Sequence, residues 1–404
     1  MQPFRKRTGA GLPTVLPPAR KAHRAMNQPG SSEQARPRAS KPDPHQLGTD
    51  FQRWLRTRQP DATITEATMP SANGMSSETL IVGARWGARQ HRLVVRVAPQ
   101  PQTSPVFPHY DMRGQYRVLQ RLGAQIHRPA VPQVLWCEDD PGPLGAPFFV
   151  MHHIDGQIPP DVMPYNFGSW LTEAGPEHRQ RLQRTTLDHL ARVHAAPWTD
   201  FAFLDQRRPA ETALAAHVRR TRDYYEWTKA DGLGVQLIER GFDWLTEHWP
   251  ASPPSTDQPV LSWGDARIGN IIYRDFSPAG LLDWEMAALG PRELDLGWMV
   301  FFHRFFEDLA HTAGLPGLPD LLRRHDVTEG YTAITGYRPT DLDFYITYAA
   351  LQHAIILVRV QLRAIAFGQA TPPTNRDEMI MHRHTLASML DGTYWPSLKG
   401  SAPT

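Results

Sequence analysis

Residues 261–295 read LSWGDARIGNIIYRDFSPAGLLDWEMAALGPRELD, and this stretch decides how the rest of the chain is understood. It holds two carboxylates and an amide, Asp265, Asn270 and Asp283, set around two apolar runs. Ile271-Ile272-Tyr273 and Leu281-Leu282 predict two short strands joined through residues 274–279, a hairpin that brings the three polar residues together. Asp283 follows Gly280-Leu281-Leu282, which places it at the end of a buried strand. Each residue alone also has an ordinary reading: Asp265 after Gly264 suits a turn, Asn270 a turn or cap, and Asp283 a solvated strand end.

Taken jointly the three carry chemistry. Asp265 and Asn270 are five apart, the D-x-x-x-x-N interval in which one carboxylate takes an acceptor's hydroxyl proton and the amide holds a metal ion. Hard oxygen donors from Asp and Asn suit Mg²⁺, which keeps several waters and needs one or two protein carboxylates. A transferred phosphoryl group carries dispersed negative charge, so a protein that moves one must hold metal and align a nucleophile.

The pattern GDxxxGN, some ten residues, then DWExxxxGxxxxDL resembles the aminoglycoside phosphotransferase and choline-kinase-like family, which has the two-lobed protein-kinase-like fold. Here it stands as Gly264-Asp265, Gly269-Asn270, Asp283-Trp284-Glu285, Gly290 and Asp295-Leu296. The Trp-Gly-Asp opening and the Leu-Gly-Pro-Arg-Glu-Leu-Asp ending resemble an actinobacterial branch of that family. The resemblance implies an α+β fold, with a small antiparallel-sheet lobe and a larger, mainly helical lobe. It implies Asp265 as general base, Asn270 and Asp283 as metal ligands, and Asp295 as a buttress of the catalytic loop. Trp263 stands where most of the family has His, so packing or an indole N–H must replace that histidine's bond.

Upstream residues fit a nucleotide-binding lobe. Residues 78–84 and 91–97 are rich in β-branched side chains and predict two strands of a hairpin across residues 85–90. The small polar loop 70–77, with Gly74 and Ser76, offers backbone N–H groups to phosphates or is a plain turn. Arg96, inside Leu93-Val94-Val95-Arg96-Val97, falls where the resemblance places the phosphate-pairing lysine of the third strand. A guanidinium can bind phosphates in a bidentate fork, although a charged residue in a short strand can equally point to solvent. In the helix predicted over 111–122, Gln115 takes the place of the glutamate that pairs with that cation. Residues 147–156, PFFVMHHIDG, resemble the family's hinge, whose backbone around His152 and Ile154 receives the purine. Adjacent histidines point to opposite faces of a strand, which argues against His152 and His153 sharing a metal.

A helix over 47–58 and a strand over 62–69 begin the folded region, and a further strand is expected around 133–137. Beyond Gly156 the chain reads as helical, over 177–196, 209–230, 234–249, 292–313, 318–335, 341–368 and 376–391. The lobes are therefore expected at 48–156 and 157–404. No window suggests the run of about 20 apolar residues needed to span a membrane, and the single cysteine, Cys137, excludes an internal disulfide. A cytoplasmic protein is the simplest expectation.

Residues 1–47 hold nine Lys or Arg against two acids, with eight Pro, which leaves 48–404 at a net −5. Such a tail cannot bury enough surface to fold alone; Met26 is an alternative start that would remove much of its charge. A basic tail opens a second reading, a catalytically degenerate kinase-like scaffold that binds nucleic acid or membrane. Phe4 is the tail's one aromatic, too few to stack bases. The sequence thus points to a Mg²⁺-dependent kinase that transfers phosphate from ATP or GTP to an aminoglycoside-like or other hydroxylated metabolite. Residues 206–249 carry seven basic and seven acidic side chains, a balance ill suited to a polycationic acceptor.

Overall fold

The computed structural model describes residues 43–70, 77–100, 104–229, 232–250 and 259–395. Most of the basic tail, and with it the scaffold reading, lies outside the described residues. So do Gly74 and Ser76 of the proposed phosphate loop.

The smaller lobe is a five-stranded antiparallel sheet in the order β1-β2-β3-β5-β4. Its strands are β1 (Thr63–Thr68), β2 (Glu78–Trp86), β3 (Arg89–Val97), β4 (Val134–Glu138) and β5 (Phe148–His152). Strand periodicity sorts the side chains: Leu80, Val82, Leu93 and Val95 are fully buried on the core face, while Thr79, Ile81, Val94 and Arg96 project from the other. Helix α1 (Pro44–Arg58) covers the core face with Leu47, Phe51, Trp54 and Leu55, and Trp54 meets Phe148 edge-on at 4.8 Å. The β2–β3 hairpin is tighter than the six-residue loop the sequence suggested. Trp86 pairs with Arg89, leaving a two-residue turn in which Gly87 adopts φ +54°, a conformation that primed hairpin turns assign to glycine. Helix α2 (Met112–Gly123) is capped by Asp111, which accepts from Gly114 N–H at 2.7 Å.

The larger lobe is helical: α3 (Trp170–Glu173), α4 (Pro176–Ala195), α5 (Ala213–Thr228), α6 (Gln236–Glu247), α7 (Glu293–Thr312), α8 (Arg324–Thr335), α9 (Leu342–Ala366) and α10 (Arg383–Leu390). Two short ribbons sit among these helices. One pairs β7 (Ile271–Arg274) with β8 (Ser277–Leu281), and the other pairs β6 (Val260–Ser262) with β9 (Ala288–Gly290). Helix α8 starts later than expected, and the 376–391 segment divides into a 3₁₀ turn, Arg376–Met379, and α10.

Helix α9 corrects the expectation that no segment is apolar enough to span a bilayer. By length and composition it qualifies, with a mean hydropathy of 1.3 over its most apolar window. Its apolar circumference has another cause: it is the central helix of the lobe, packed on α5, α6, α7 and α10. At the α7–α9 crossing a Cβ on Gly297 would stand 2.7 Å from the Tyr345 backbone, so glycine is what lets these helices approach.

Candidate active site

The β7–β8 ribbon turns through Asp275 and Phe276, both at positive φ. The Phe276 ring stacks on His178 at 4.4 Å and its carbonyl accepts from Thr185 Oγ1, contacts that hold a costly conformation in place. At the other end of the ribbon, Leu282 N–H donates to Asn270 O at 2.9 Å. That bond draws the segment carrying Asp283 against the loop carrying Asp265 and Asn270. Asp283 itself adopts φ +58°.

The loop Ser262–Asn270 hangs from one buried carboxylate. Asp295, fully buried at the start of α7, accepts from Ser262 Oγ, Trp263 N and Gly264 N, each at 2.8 Å. His194 Nε2 stands 2.9 Å from Oδ2, the oxygen that also accepts from Trp263 N–H, and His194 Nδ1 meets Tyr331 OH at 2.7 Å. Gly264 holds φ +88°, and a Cβ there would lie 2.4 Å from Met286 O. Trp263 is buried and its indole N–H donates to Leu282 O at 2.8 Å. The indole thus supplies a bond between the loop and the Asp283 segment, in the place where the resemblance expects histidine.

Both oxygens of Asp265 are engaged. Oδ1 accepts from Arg267 Nε at 2.9 Å and from Trp298 Nε1 at 2.7 Å, and Oδ2 accepts from Asn270 Nδ2 at 2.7 Å. Asn270 Nδ2 also donates to Asp265 O at 3.1 Å, so the amide nitrogen is spent on the loop and the amide oxygen is the atom left to offer a cation. Arg267 is paired on its other side with Asp161. From the sequence alone neither Arg267 nor Trp298 has a site role, and Trp298 reads as a packing aromatic of the helical lobe. Arg267 lies inside the D-x-x-x-x-N motif and was legible there as a cation two residues from Asp265, whereas Trp298 on α7 carried no local signal beyond an aromatic at a core position.

Between the lobes lies a cleft of about 300 Å³. Arg96 and Gln115 line it from the sheet and α2, Met151 to Gly156 from the hinge segment, and Leu281 to Trp284 from below. His152 N–H donates to Gln133 O and His153 N–H to Arg92 O, both at 2.9 Å, which fixes the path of the hinge segment. Ile154 packs toward Gly280, where a Cβ would stand 2.7 Å from Ile154 Cδ1.

Arg96 reaches out of β3 across this cleft. Its Nη2 is 3.2 Å from Asp283 Oδ1, and its Nη1 is 3.3 Å from Thr79 Oγ1. Arg96 makes this bridge rather than a bond to Gln115, which stands where the resemblance has a pairing glutamate: Gln115 is buried, not a surface residue, and its Nε2 points to Met112 Sδ at 3.9 Å. A neutral amide competes poorly with a carboxylate for a guanidinium. Burial pushes the Asp283 carboxyl above the usual carboxylate range, Arg96 opposes that shift, and the nearby Asp265 adds to it. Among the described residues no group of three or more His, Cys, Asp or Glu side chains gathers as a metal cage. Asn270 and Asp283 instead offer two hard oxygens, a set that fits Mg²⁺ completed by water and phosphate oxygens.

A family model described as the phosphotransferase enzyme family matches residues 70–325. Among curated proteins, the chain is 24% identical over 308 residues to the Probable acyl-CoA dehydrogenase IBR3 of Arabidopsis thaliana, covering 72% of this chain and 35% of that protein. It is 26% identical over 177 residues to acyl-CoA dehydrogenase family member 11 of Gallus gallus, covering 43% and 21%. The chain therefore spans about a third or less of the curated relatives it matches. Among solved structures, a candidate aminoglycoside phosphotransferase of Ralstonia eutropha superposes with a TM-score of 0.60 at 18% identity, over 86% of this chain and 98% of that one. The GDP complex of aminoglycoside 2'-phosphotransferase-IIIa superposes with a TM-score of 0.51 at 15% identity, over 87% and 99%. These likenesses show the kinase-like fold.

Proposed function

The chain belongs to the phosphotransferase enzyme family, and from that premise we propose that it is a Mg²⁺-dependent kinase acting on a hydroxyl group of a small molecule, with ATP or GTP as donor. The observation that carries this reading is that Arg96 and Asp283 meet across one interlobe cleft, with the bonded Asp265–Asn270 pair held against the Asp283 segment by the Leu282 N–H to Asn270 O bond.

Asp265 accepts a hydrogen bond from the acceptor hydroxyl and takes its proton as the new O–P bond forms and the bond from the γ-phosphorus to the bridging oxygen breaks, releasing the nucleoside diphosphate. Trp298, Arg267 and Asn270 hold its carboxylate in one orientation, so little reorganisation accompanies the step. Arg96 contacts phosphate oxygens by its fork, a role that requires it to share or release Asp283. Asn270 and Asp283 would hold Mg²⁺, which when bound neutralises charge on the donor phosphates. The hinge from His152 to Ile154 receives the purine, and Gln115 bounds the phosphate side. Asp295 positions the loop and touches no substrate.

The acceptor class is narrower than the family name. The curated relatives are named acyl-CoA dehydrogenases over lengths far beyond this chain, so the matched portion is a kinase-like part within proteins named for acyl thioesters. That favours a hydroxyacyl thioester over an aminoglycoside as acceptor. The test is transfer of labelled γ-phosphate from ATP and from GTP to hydroxyacyl-CoA and aminoglycoside panels, with Asp265→Asn as control. Labelled hydroxyacyl product that Asp265→Asn abolishes supports the reading; a variant with full activity refutes Asp265 as base.

A further inference from the structure

Where the cleft lining ends, at Trp284, the next residue begins a second surface. The Glu285 carboxylate lies beside Tyr110 and Tyr224 and, after burial, adds to the upward shift of both phenols. Tyr224, on α5, stands between the rings of Phe107 at 5.4 Å and Trp227 at 5.9 Å. Its hydroxyl donates to Val106 O at 3.0 Å. Arg359, on α9, lies over Trp227 with its guanidinium carbon 4.4 Å from the ring centroid, and donates to Pro105 O and Ser104 Oγ. Further along the same α5–α9 seam, Tyr348 OH meets His217 Nδ1 at 2.8 Å and Thr221 Oγ1 at 2.7 Å, and Arg220 stands beside it.

The charges on this seam are arranged unlike those on the outer faces. Arg219 is paired with Glu211, Arg222 with Glu239, and Arg240 with Asp391. Arg359 and Arg220 are partly withdrawn from water, and burial lowers the pKa of each. Their titratable neighbours are the phenols Tyr224 and Tyr110 for Arg359, kept neutral by burial, and for Arg220 the equally neutral phenol Tyr348 and the cation Arg219. Among the described residues neither makes an ion pair with a carboxylate. A desolvated guanidinium without an anion is costly, and an incoming anion relieves that cost. A polycation would meet the same two arginines as repulsion.

Building on the kinase reading above, we infer that the α5–α9 seam is the acceptor's wall, and that Arg359 and Arg220 recognise a phosphate or carboxylate group on a negatively charged acceptor. Tyr224 and Trp227 supply the flat apolar surface against which such a molecule lies. Recognition of the anion sets acceptor affinity without touching the nucleotide.

Binding to the full-length protein in the presence of Mg²⁺ and ADP tests this, with coenzyme A, pantetheine, malate and kanamycin as probes. Coenzyme A carries phosphates that pantetheine lacks, and malate replaces phosphate by carboxylates. The inference expects coenzyme A or malate to bind at least tenfold more tightly than pantetheine or kanamycin, with affinity falling as salt rises. Arg359→Gln should weaken the anion at least tenfold and Arg359→Lys less, while the rise in unfolding midpoint with Mg²⁺ and ATP stays at its wild-type size. Because Arg359 also holds the 104–105 segment, Arg220→Gln serves as a second variant with the same expectation. Anion binding unchanged in both variants, kanamycin as the tightest probe, or no anion bound overturns the inference. Loss of the nucleotide response in the wild-type protein would instead count against the kinase reading, and Arg359-dependent anion binding would still uphold the wall.

Discussion

Arg96 Nη2 and Asp283 Oδ1 stand 3.2 Å apart, a salt bridge that ties β3 of the small lobe to the segment after β8 across the cleft. Both side chains are largely withdrawn from solvent, at 14% and 17% exposure, so on the proposed reading the bridge occupies the space that donor phosphates and metal would enter. A nucleotide bound there would have to displace or share it. If Arg96 contacts phosphate as proposed, replacing it by Ala should lower kcat by about 10²–10³. Arg96→Lys, which keeps charge but loses the fork, should fall between. Steady-state kinetics with varied nucleotide checks this, and an Arg96→Ala enzyme with wild-type kcat would show that the arginine is only a lobe tie.

Asp295 gathers three hydrogen bonds from the Ser262–Gly264 segment and faces His194. Asp295→Ala leaves buried donors unpaired, and the expected loss is about 3–5 kcal/mol of unfolding free energy. Activity should fall as well, although the residue contacts neither proposed substrate. Urea unfolding measures the first effect; an unchanged midpoint would mean that the loop is held by other contacts.

The histidine core gives a pH prediction. His303 is buried and its pKa falls to about 3, chiefly through desolvation. Its Nε2–H donates to Leu318 O at 3.1 Å, so Nδ1 accepts from Tyr165 OH at 2.7 Å. The unfolded chain binds this proton near pH 6.5 and the folded chain does not until far lower, so folding stability falls as pH drops below 6.5. The slope is about 1.4 kcal/mol per pH unit for one such group. His303→Gln should remove about one proton's worth of slope between pH 6 and 4. An identical slope in the variant would show that His303 titrates normally in the folded state.

Much of this was legible in the chain because the site residues lie close in sequence. The 261–295 stretch holds the proposed base, both proposed metal ligands and the buttress, and the hairpin joining them follows from apolar runs of strand length. The alternation in β3 set Arg96 on the face opposite Leu93 and Val95, where it points into the cleft. What escaped depends on distant contacts. That Arg96 takes Asp283 rather than Gln115 is a competition between partners remote in sequence, and Trp298 serves Asp265 only because α7 packs beneath the loop. The apolar length of α9 is masked in the sequence by Asp343 near its start and Arg359 and Arg363 near its end; burial by four neighbouring helices explains its composition.

Gly297 offers a test of that packing. A Cβ there would stand 2.7 Å from the Tyr345 carbonyl carbon, backbone that cannot swing aside. Gly297→Val should therefore cost about 1–3 kcal/mol through overpacking, read as a lowered denaturation midpoint with unchanged m-value. A neutral substitution would mean that α7 and α9 slide apart freely.

The central claim is that Asp283 and Asn270 hold Mg²⁺ beneath a bound nucleoside triphosphate. Thermal unfolding with ATP or GTP, each with and without Mg²⁺, in wild type and Asp283→Asn, tests it most directly. At a hundredfold excess over Kd, a ligand that binds only the folded state adds about 2.7 kcal/mol. The account predicts a rise in midpoint with nucleotide that requires Mg²⁺ and is lost in Asp283→Asn; the same rise in the variant, or none with either nucleotide, would contradict it.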